Sequence, residues 1–171
     1  MQKGEDSGAD WMAGGTYFVV RKIHMFAEMW DNLRLIEQEQ TFGRDKRYGA
    51  PLNVTAPTSG KDEFKPIDFK AKNKEGELEV PADSHIAIVN PEQNKGRWML
   101  RRGYNYTEGS DALGRLSAGL FFIAFVRDPR TNFYPILDKM TQKDALSEYL
   151  QHQARALFAI PAGIGQSDTM V

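Results

Sequence analysis

The sequence predicts an α+β fold with elements in the order β-α-β-β-α-β. Three observations predict it: β-rich apolar segments at both ends of the chain, a close pair of them in the middle, and helical periodicity between them. This order is the ferredoxin-like arrangement, an antiparallel sheet with helices on one face. The other face then needs a cover, which a flat ligand or a second similar sheet would supply. With a second sheet, the unit becomes half of a dimeric α+β barrel.

Four segments have the composition of strands. Residues 15–25 (GTYFVVRKIHM) are apolar and β-rich, and residues 98–106 end in alternating aromatic and polar positions. Residues 116–127 (LSAGLFFIAFVR) are so continuously apolar that we expect a strand buried on both faces. A short last strand is predicted over residues 156–160, where Pro161 stops it.

Helices are predicted between these strands. Apolar residues recur at helical spacing from residue 27 to residue 42, and Gly43 is the expected end of that helix. A second helix is predicted over residues 132–140, with Pro135 in its first turn, where proline is tolerated. A short third helix is predicted over residues 143–152.

The remaining segments organise a single domain over residues 1–171. Residues 1–10 are polar and are expected to form a flexible lead-in without the features of a signal peptide. Residues 43–80 are polar, with glycine, proline and lysine throughout, and predict a long loop. A loop of this length in a compact domain is usually functional or partly mobile.

Composition excludes several classes of function. Hydrophobic residues make up 41% and charged residues 26% of the chain, a soluble globular balance. A net charge of -1 provides no field to attract nucleic acid. The absence of cysteine excludes disulfides, thiolate catalysis and cysteine-ligated metal sites. The longest apolar run, residues 118–126, is too short to span a bilayer.

Residues 81–106 (PADSHIAIVNPEQNKGRWMLRRGYNY) carry the clearest functional chemistry. The imidazole of His85 suits a metal or haem iron, and the guanidinium of Arg101 suits an anion or a polarised peroxide. Because strand side chains alternate, Arg102 is expected on the opposite face from Arg101. A histidine that caps a turn and an arginine paired with a surface carboxylate remain alternatives at this point.

Six stretches together resemble the C-terminal half of the dye-decolourising haem peroxidases. They are WMAGGTYFVVRKIHM, WDNLRLIEQEQTFGRDKRYGA, DSHIAIVNP, MLRRGYNY, AGLFFIAFVRDPR and LSEY, and they occur in the order expected for that family. The resemblance is greatest to the exported deferrochelatase/peroxidase branch, which is associated with iron uptake.

The resemblance implies roles for individual residues. His85 matches the proximal haem ligand, and Arg101 matches the distal arginine that acts on peroxide and borders the cofactor. Glu148 matches the acidic partner that accepts a hydrogen bond from the proximal histidine. The remaining positions that match haem-contacting residues are Asn90, Pro91, Leu120 and Phe122.

The chain also departs from the family pattern. Glu92 stands where many members have a basic residue, so a propionate contact at that position is not implied. The GxxDG motif that supplies a distal aspartate does not occur in these 171 residues, and the family's N-terminal half has no counterpart. We therefore expect a fragment, a split gene product or a truncated form.

The function implied by the resemblance is a haem b peroxidase that uses hydrogen peroxide to oxidise phenolic or dye-like substrates. Removal of iron from haem, export to the periplasm or cell surface, and partners in iron uptake are implied as well. We also expect association with a second copy or with the missing half. Two alternatives remain: a non-catalytic haem-binding or assembly fragment that needs a partner half, and a structural ferredoxin-like domain without cofactor.

Overall fold

A four-stranded antiparallel sheet forms one layer of the protein. The computed structural model describes residues 10–163, so most of the predicted lead-in lies outside the described residues. The strands are β1 (Thr16–Met25), β2 (Leu100–Ser110), β3 (Leu116–Val126) and β4 (Leu150–Ile160). They lie in the order β2-β3-β1-β4, and each neighbouring pair is antiparallel. This topology confirms the predicted ferredoxin-like α+β fold.

The last strand differs most from the prediction. Helix was predicted over residues 143–152, but this region holds only a 3-10 turn, Ala145–Tyr149, followed at once by β4. The reason is long-range pairing, because residues from Leu150 to Ile160 form a ladder with the whole of β1. That ladder satisfies backbone groups that a local helix would otherwise have to pair.

The predicted helix over residues 27–42 is divided into two. Helix α1 is Ala27–Asp31 and helix α2 is Leu35–Phe42. Gln38 bridges the break, because its side-chain Nε2 donates a hydrogen bond of 2.9 Å to the carbonyl of Trp30. Gly43 ends α2 as predicted, with a φ of 79° that favours glycine.

Two further helices complete the layer. Helix α3 is a single turn, His85–Val89, and the longer helix α4 is Tyr134–Lys143. A π-helical turn precedes α4, and Pro135 lies in the first turn of α4, as predicted. Between residues 10 and 163, no helix is both long enough and apolar enough to cross a membrane.

The core lies between the sheet and α4. Its buried side chains are Val19, Ala124, Val126 and Phe133, with Tyr17, Met99, Phe122 and Leu137 packed around them. Consequently, β3 is buried on one face only, and the prediction of a strand buried on both faces is wrong. Phe121, on the other face, is 39% exposed because no layer of the described chain covers that side.

We call the uncovered side of the sheet the open face. It carries Phe18 of β1, Phe121 and Phe125 of β3, Tyr104 of β2 and Phe158 of β4. The ring of Phe18 lies 5.0 Å from that of Phe125 and 6.1 Å from that of Phe158. Tyr104 and Phe158 are 59% and 53% exposed, which makes this face an apolar patch.

The long loop over residues 43–80 is extensively hydrogen-bonded within itself. Isolated bridges join Arg44 to Pro51 and Lys72 to Leu78. Asp62 lies within a 3-10 turn, Gly60–Phe64, where its carboxylate accepts hydrogen bonds from the N–H groups of Thr58 and Ser59 and pairs with Lys65 at 2.7 Å. The ion pair with Lys65, followed by backbone N–H groups, lowers the pKa of Asp62 to about 2.

Candidate functional site

His85 begins α3 and is held there by the residues around it. The preceding Ser84 is fully buried, and its hydroxyl donates a hydrogen bond of 2.6 Å to the carbonyl of Pro81. The imidazole Nδ1 of His85 lies 2.7 Å from Oδ2 of Asp144. The ring of Phe42 meets the imidazole edge-on, with 6.2 Å between the ring centroids.

Asp144 is a fixed partner for this imidazole. Its side chain is only 1% exposed, and its second oxygen, Oδ1, accepts a hydrogen bond of 2.9 Å from the N–H of Leu146. The N–H of Ala145 donates to the carbonyl of Asp83, which ties the turn to the segment that precedes His85. Both carboxylate oxygens are therefore occupied, and the imidazole has a defined orientation.

The assignment of this hydrogen bond to Glu148 is wrong. Glu148 is exposed on the 3-10 turn and makes no hydrogen bond or ion pair with any residue from 10 to 163. The physical reason is the turn itself: Asp144 is its N-cap and has a buried side chain, whereas Glu148 lies near the end of the turn and faces solvent.

The histidine–aspartate pair fits the ligation of a haem iron. When Nδ1–H of a neutral imidazole donates a hydrogen bond to a carboxylate, Nε2 carries the lone pair and can bind a metal. Nε2 of His85 makes no hydrogen bond with any described residue. The side chain is 16% exposed, so it is sheltered and still accessible. The residues present thus supply a suitable axial donor.

Register positions Arg101 on the helix-covered face of the sheet. Arg101 is the Cα partner of Ala124, which is fully buried in the core. Arg102 is the partner of Ile123 and lies on the open face. The side chain of Arg101 is exposed and makes no ion pair or hydrogen bond within the described part of the chain, which leaves its guanidinium available to a ligand.

Leu120 and Phe122 share the face of Arg101. Both are partly buried on β3, and the ring of Phe122 lies 6.2 Å from that of Phe133. Gly103, opposite Phe122, leaves room for Leu120, because a Cβ atom at Gly103 would lie 3.0 Å from Leu120 Cδ1. These side chains form an apolar surface beside Arg101.

The Asn-Pro turn after α3 makes internal contacts. Asn90 Oδ1 accepts a hydrogen bond of 2.9 Å from the N–H of Glu92 and caps the 3-10 turn Pro91–Asn94. Pro91 and Glu92 are exposed. The turn therefore fixes the end of α3, and no ion pair holds Glu92 in the described structure.

Sequence reasoning missed two residues that the structure brings to this region. Asp144 directly precedes the turn of residues 145–149, and an aspartate at that position is a typical N-cap, so the sequence alone could have indicated it. Arg21 lies in the apolar run of β1 and is only 8% exposed, an unusual position for a guanidinium. The sequence feature that could have indicated this position is an arginine inside an apolar, strand-like run.

The fold and site define a ferredoxin-like α+β protein with a buried-carboxylate–histidine pair and an arginine on the same side of the sheet. Comparison with family models identifies it further: residues 3–165 match the model described as Dyp-type peroxidase, C-terminal. The chain belongs to this family.

Curated relatives agree. The chain is 40% identical over 153 residues to a dye-decolorizing peroxidase from Thermobifida fusca, covering 89% of this chain and 34% of the relative. It is 37% identical over 143 residues to a deferrochelatase from Escherichia coli, covering 82% of this chain and 32% of the relative. The chain thus spans about a third of the length of these relatives.

Solved structures agree as well. An oxyferrous/water mixed complex of DtpA from Streptomyces lividans superposes with a TM-score of 0.88 at 39% identity, covering 95% of this chain and 44% of that one. A DyP-type peroxidase from Streptomyces coelicolor gives a TM-score of 0.87 at 39% identity, covering 95% and 43%.

Proposed function

We propose that this chain is the haem-binding part of a dye-decolourising peroxidase, with His85 as the axial ligand of haem b. The observation that carries the proposal is the hydrogen bond between His85 Nδ1 and Asp144, together with an Nε2 atom that has no partner among the described residues. Bound haem supplies the iron at which hydrogen peroxide is reduced. Asp144 makes the imidazole a stronger electron donor, the property that a peroxidase ligand needs.

Arg101 lies on the side of the site that the sheet forms, and it acts on peroxide there. Its fixed positive charge orients peroxide and stabilises the negative charge that develops as the O–O bond breaks. Leu120 and Phe122 form the apolar surface beside it, which excludes water fully only when haem is bound, and this exclusion strengthens that interaction. Asn90 and Pro91 border the cofactor by holding the end of α3.

The substrates proposed for the whole protein are phenolic or dye-like aromatic compounds, and removal of iron from haem is a second activity. The support is the name of the relatives, dye-decolorizing peroxidase and deferrochelatase. The resemblance to the deferrochelatase branch also supports export and a role in iron uptake.

The 171-residue chain needs a partner for full activity. No GxxDG motif occurs in it, so a carboxylate that moves the peroxide proton has to come from another segment. The open face needs a cover as well, which a second copy or an N-terminal half of the same fold supplies. We expect weak peroxide turnover by the chain alone, and turnover equal to that of a protein carrying GxxDG would contradict this.

His85→Ala in the full-length natural protein tests the proposal. We expect loss of stoichiometric haem retention and of the Soret absorption of the ligated cofactor. Retention of the same Soret band and the same axial ligation in the variant would rule out His85 as the ligand. A wild-type protein that binds no haem would favour the structural domain without cofactor.

A further inference from the structure

A cluster of positive charge lies on the helix-covered face of the sheet, on strands β1 and β4, whereas Arg101 lies on β2. Arg21 of β1 is the Cα partner of Arg155 on β4, and the neighbouring Ile23 is the partner of His152. We call Arg21, Arg155 and His152 the basic cluster. Because strand side chains on paired positions point to one face, the three side chains share the side on which Val19 and Phe122 lie.

Arg21 is buried without an anion. It is 8% exposed, and its Nε atom is buried with no hydrogen-bond partner. Within residues 10–163, its described contact is with an aromatic ring: its Cζ lies 5.9 Å from the ring centroid of Phe133. The side chains of Arg155 and His152 likewise form no ion pair or hydrogen bond with any described residue.

Among residues 10–163, no carboxylate offsets the charge of Arg21. Burial, and after it the charge of Arg155, lower the pKa of Arg21, and the group that opposes them is the phenol of Tyr134. A buried charge without a counter-charge is costly, and an orphaned buried donor generally indicates a missing water, ion or ligand. The cluster therefore has the features of an anion site that is incomplete in the protein alone.

The position of the cluster indicates which anion it takes. Arg21 and Gly103 are both Cα partners of Phe122, so Arg21 and Arg101 border the same apolar surface from two sides. Their strands β1 and β2 are two strand spacings apart, about 9–10 Å across the sheet. Along the strands, the two arginines are offset by two residues, since Arg21 is the partner of Phe122 and Arg101 that of Ala124. A flat, apolar ligand with an acidic edge matches this surface: its plane covers Phe122, and its carboxylate reaches Arg21.

We infer that Arg21, supported by Arg155 and His152, binds a carboxylate, and that this carboxylate is a propionate of the haem. The inference rests on the proposed haem-binding function. It assigns to β1 and β4 the anchoring that Glu92, an acidic residue after the Asn-Pro turn, is unsuited to provide. A guanidinium is the side chain best shaped to bind a carboxylate with two hydrogen bonds.

The test measures binding of iron-free protoporphyrin and of its dimethyl ester to the full-length natural protein freed of haem. Neither ligand contains iron, so ligation by His85 does not contribute, and the two differ only in their carboxylates. Fluorescence titration of wild type is expected to show the diacid binding about tenfold or more tightly than the ester. Arg21→Met is expected to bring the two affinities together by weakening the diacid alone.

Matched variants complete the design. Arg155→Gln, at an exposed position, is expected to reduce the preference for the diacid, and it serves as the test if Arg21→Met does not fold. Arg102→Met, on the open face, is expected to leave the preference unchanged. Equal affinity of wild type for diacid and ester, or an unchanged preference in both Arg21→Met and Arg155→Gln, would overturn the inference.

Three further outcomes distinguish the ways in which the inference and the proposed function could fail. If benzoate binds as tightly as the diacid, with the same dependence on Arg21, the carboxylate belongs to a free ligand and the propionate assignment is overturned. If haem is ligated by His85 but the ester binds as well as the diacid, the inference fails while the proposed function stands. If neither haem nor porphyrin binds, the proposed function fails.

Discussion

Asp144 and His85 are joined by a hydrogen bond of 2.7 Å between Oδ2 and Nδ1, although they lie 59 positions apart. The contact links the turn before β4 to the first residue of α3. It orients the imidazole by a buried carboxylate whose second oxygen is occupied by a backbone N–H. The pair is therefore rigid. Removing the charge of Asp144 is expected to change the electron donation of the His85 imidazole without changing the fold.

Asp144→Asn tests this relationship in the full-length protein. We expect a haem affinity about 10–100-fold lower, the usual cost of removing the outer partner of a metal-binding histidine. The reduction potential of the iron is expected to rise, because the imidazole donates less electron density. Glu148→Gln is the matched control and is expected to change neither quantity. The opposite ranking of the two variants would restore Glu148 as the partner.

The missed partner shows what the sequence could and could not predict. His85 and Arg101 were predicted because their side-chain chemistry and the surrounding motifs are local. Asp144 was missed because the resemblance of the LSEY segment to the family indicated Glu148, and because residues 143–152 were predicted to form a helix. Pairing with β1, more than a hundred residues away, determines that Leu150 begins a strand, and local propensity does not contain that information.

Arg101 and Arg102 provide a paired test of the peroxide site. Register puts Arg101 opposite the core residue Ala124 and Arg102 on the open face. Arg101→Leu is expected to slow the first reaction of the full-length enzyme with peroxide by about a hundredfold or more, since a preorganised charge is lost. Arg102→Leu is expected to have little effect. Stopped-flow kinetics measures both, and a slower Arg102→Leu enzyme would contradict the face assignment.

Gly43 couples the end of α2 to the site. Its φ is 79°, and a Cβ atom there would lie 2.8 Å from Ser84 Oγ and 2.7 Å from Ile86 Cγ1, the residues on either side of His85. Gly43→Ala is therefore expected to lower the free energy of unfolding by more than the roughly 1–2 kcal/mol cost of left-handed backbone alone.

Gly76→Ala isolates the backbone contribution in that experiment. Gly76 has a φ of 85°, and nothing lies within 4 Å of an added Cβ atom. Chemical denaturation gives the loss in free energy of unfolding for each variant. The difference between the two losses is the cost of the close contact with Ser84 and Ile86. Equal losses of stability would mean that α3 does not depend on the close approach of Gly43.

The pH dependence of stability should include His152. Partial desolvation of its ring, and after it the charge of Arg21, lower the pKa of His152. The unfolded chain therefore binds more protons once the pH falls below about 6.5. This group leaves stability unchanged above that pH and reduces it as the pH falls toward the lowered value.

Arg21→Met should shift that titration. Removal of the guanidinium charge is expected to raise the pKa of His152 toward its ordinary value, as measured by the imidazole resonances in an NMR titration. Arg102→Met, on the other face, is the control. A pKa of His152 that is the same in both variants would show that Arg21 does not act on this ring.

The open face is expected to drive self-association of the 171-residue chain. Phe158 is 53% exposed there beside Phe18, and soluble monomers rarely leave a patch of this kind bare. A second copy has the same apolar face, so a two-fold symmetric dimer covers both sheets at once. Sedimentation velocity at micromolar concentration is expected to show a dimer.

Phe158→Lys is expected to shift this equilibrium toward the monomer, because it places a charge within the apolar patch. Phe64→Lys is the matched control, since Phe64 is 80% exposed on the long loop and lies away from the sheet. A stable, folded monomer of the wild-type chain would contradict the prediction. If the two lysine variants weaken the dimer equally, general charge repulsion between the subunits accounts for the loss and the open face is not the contact.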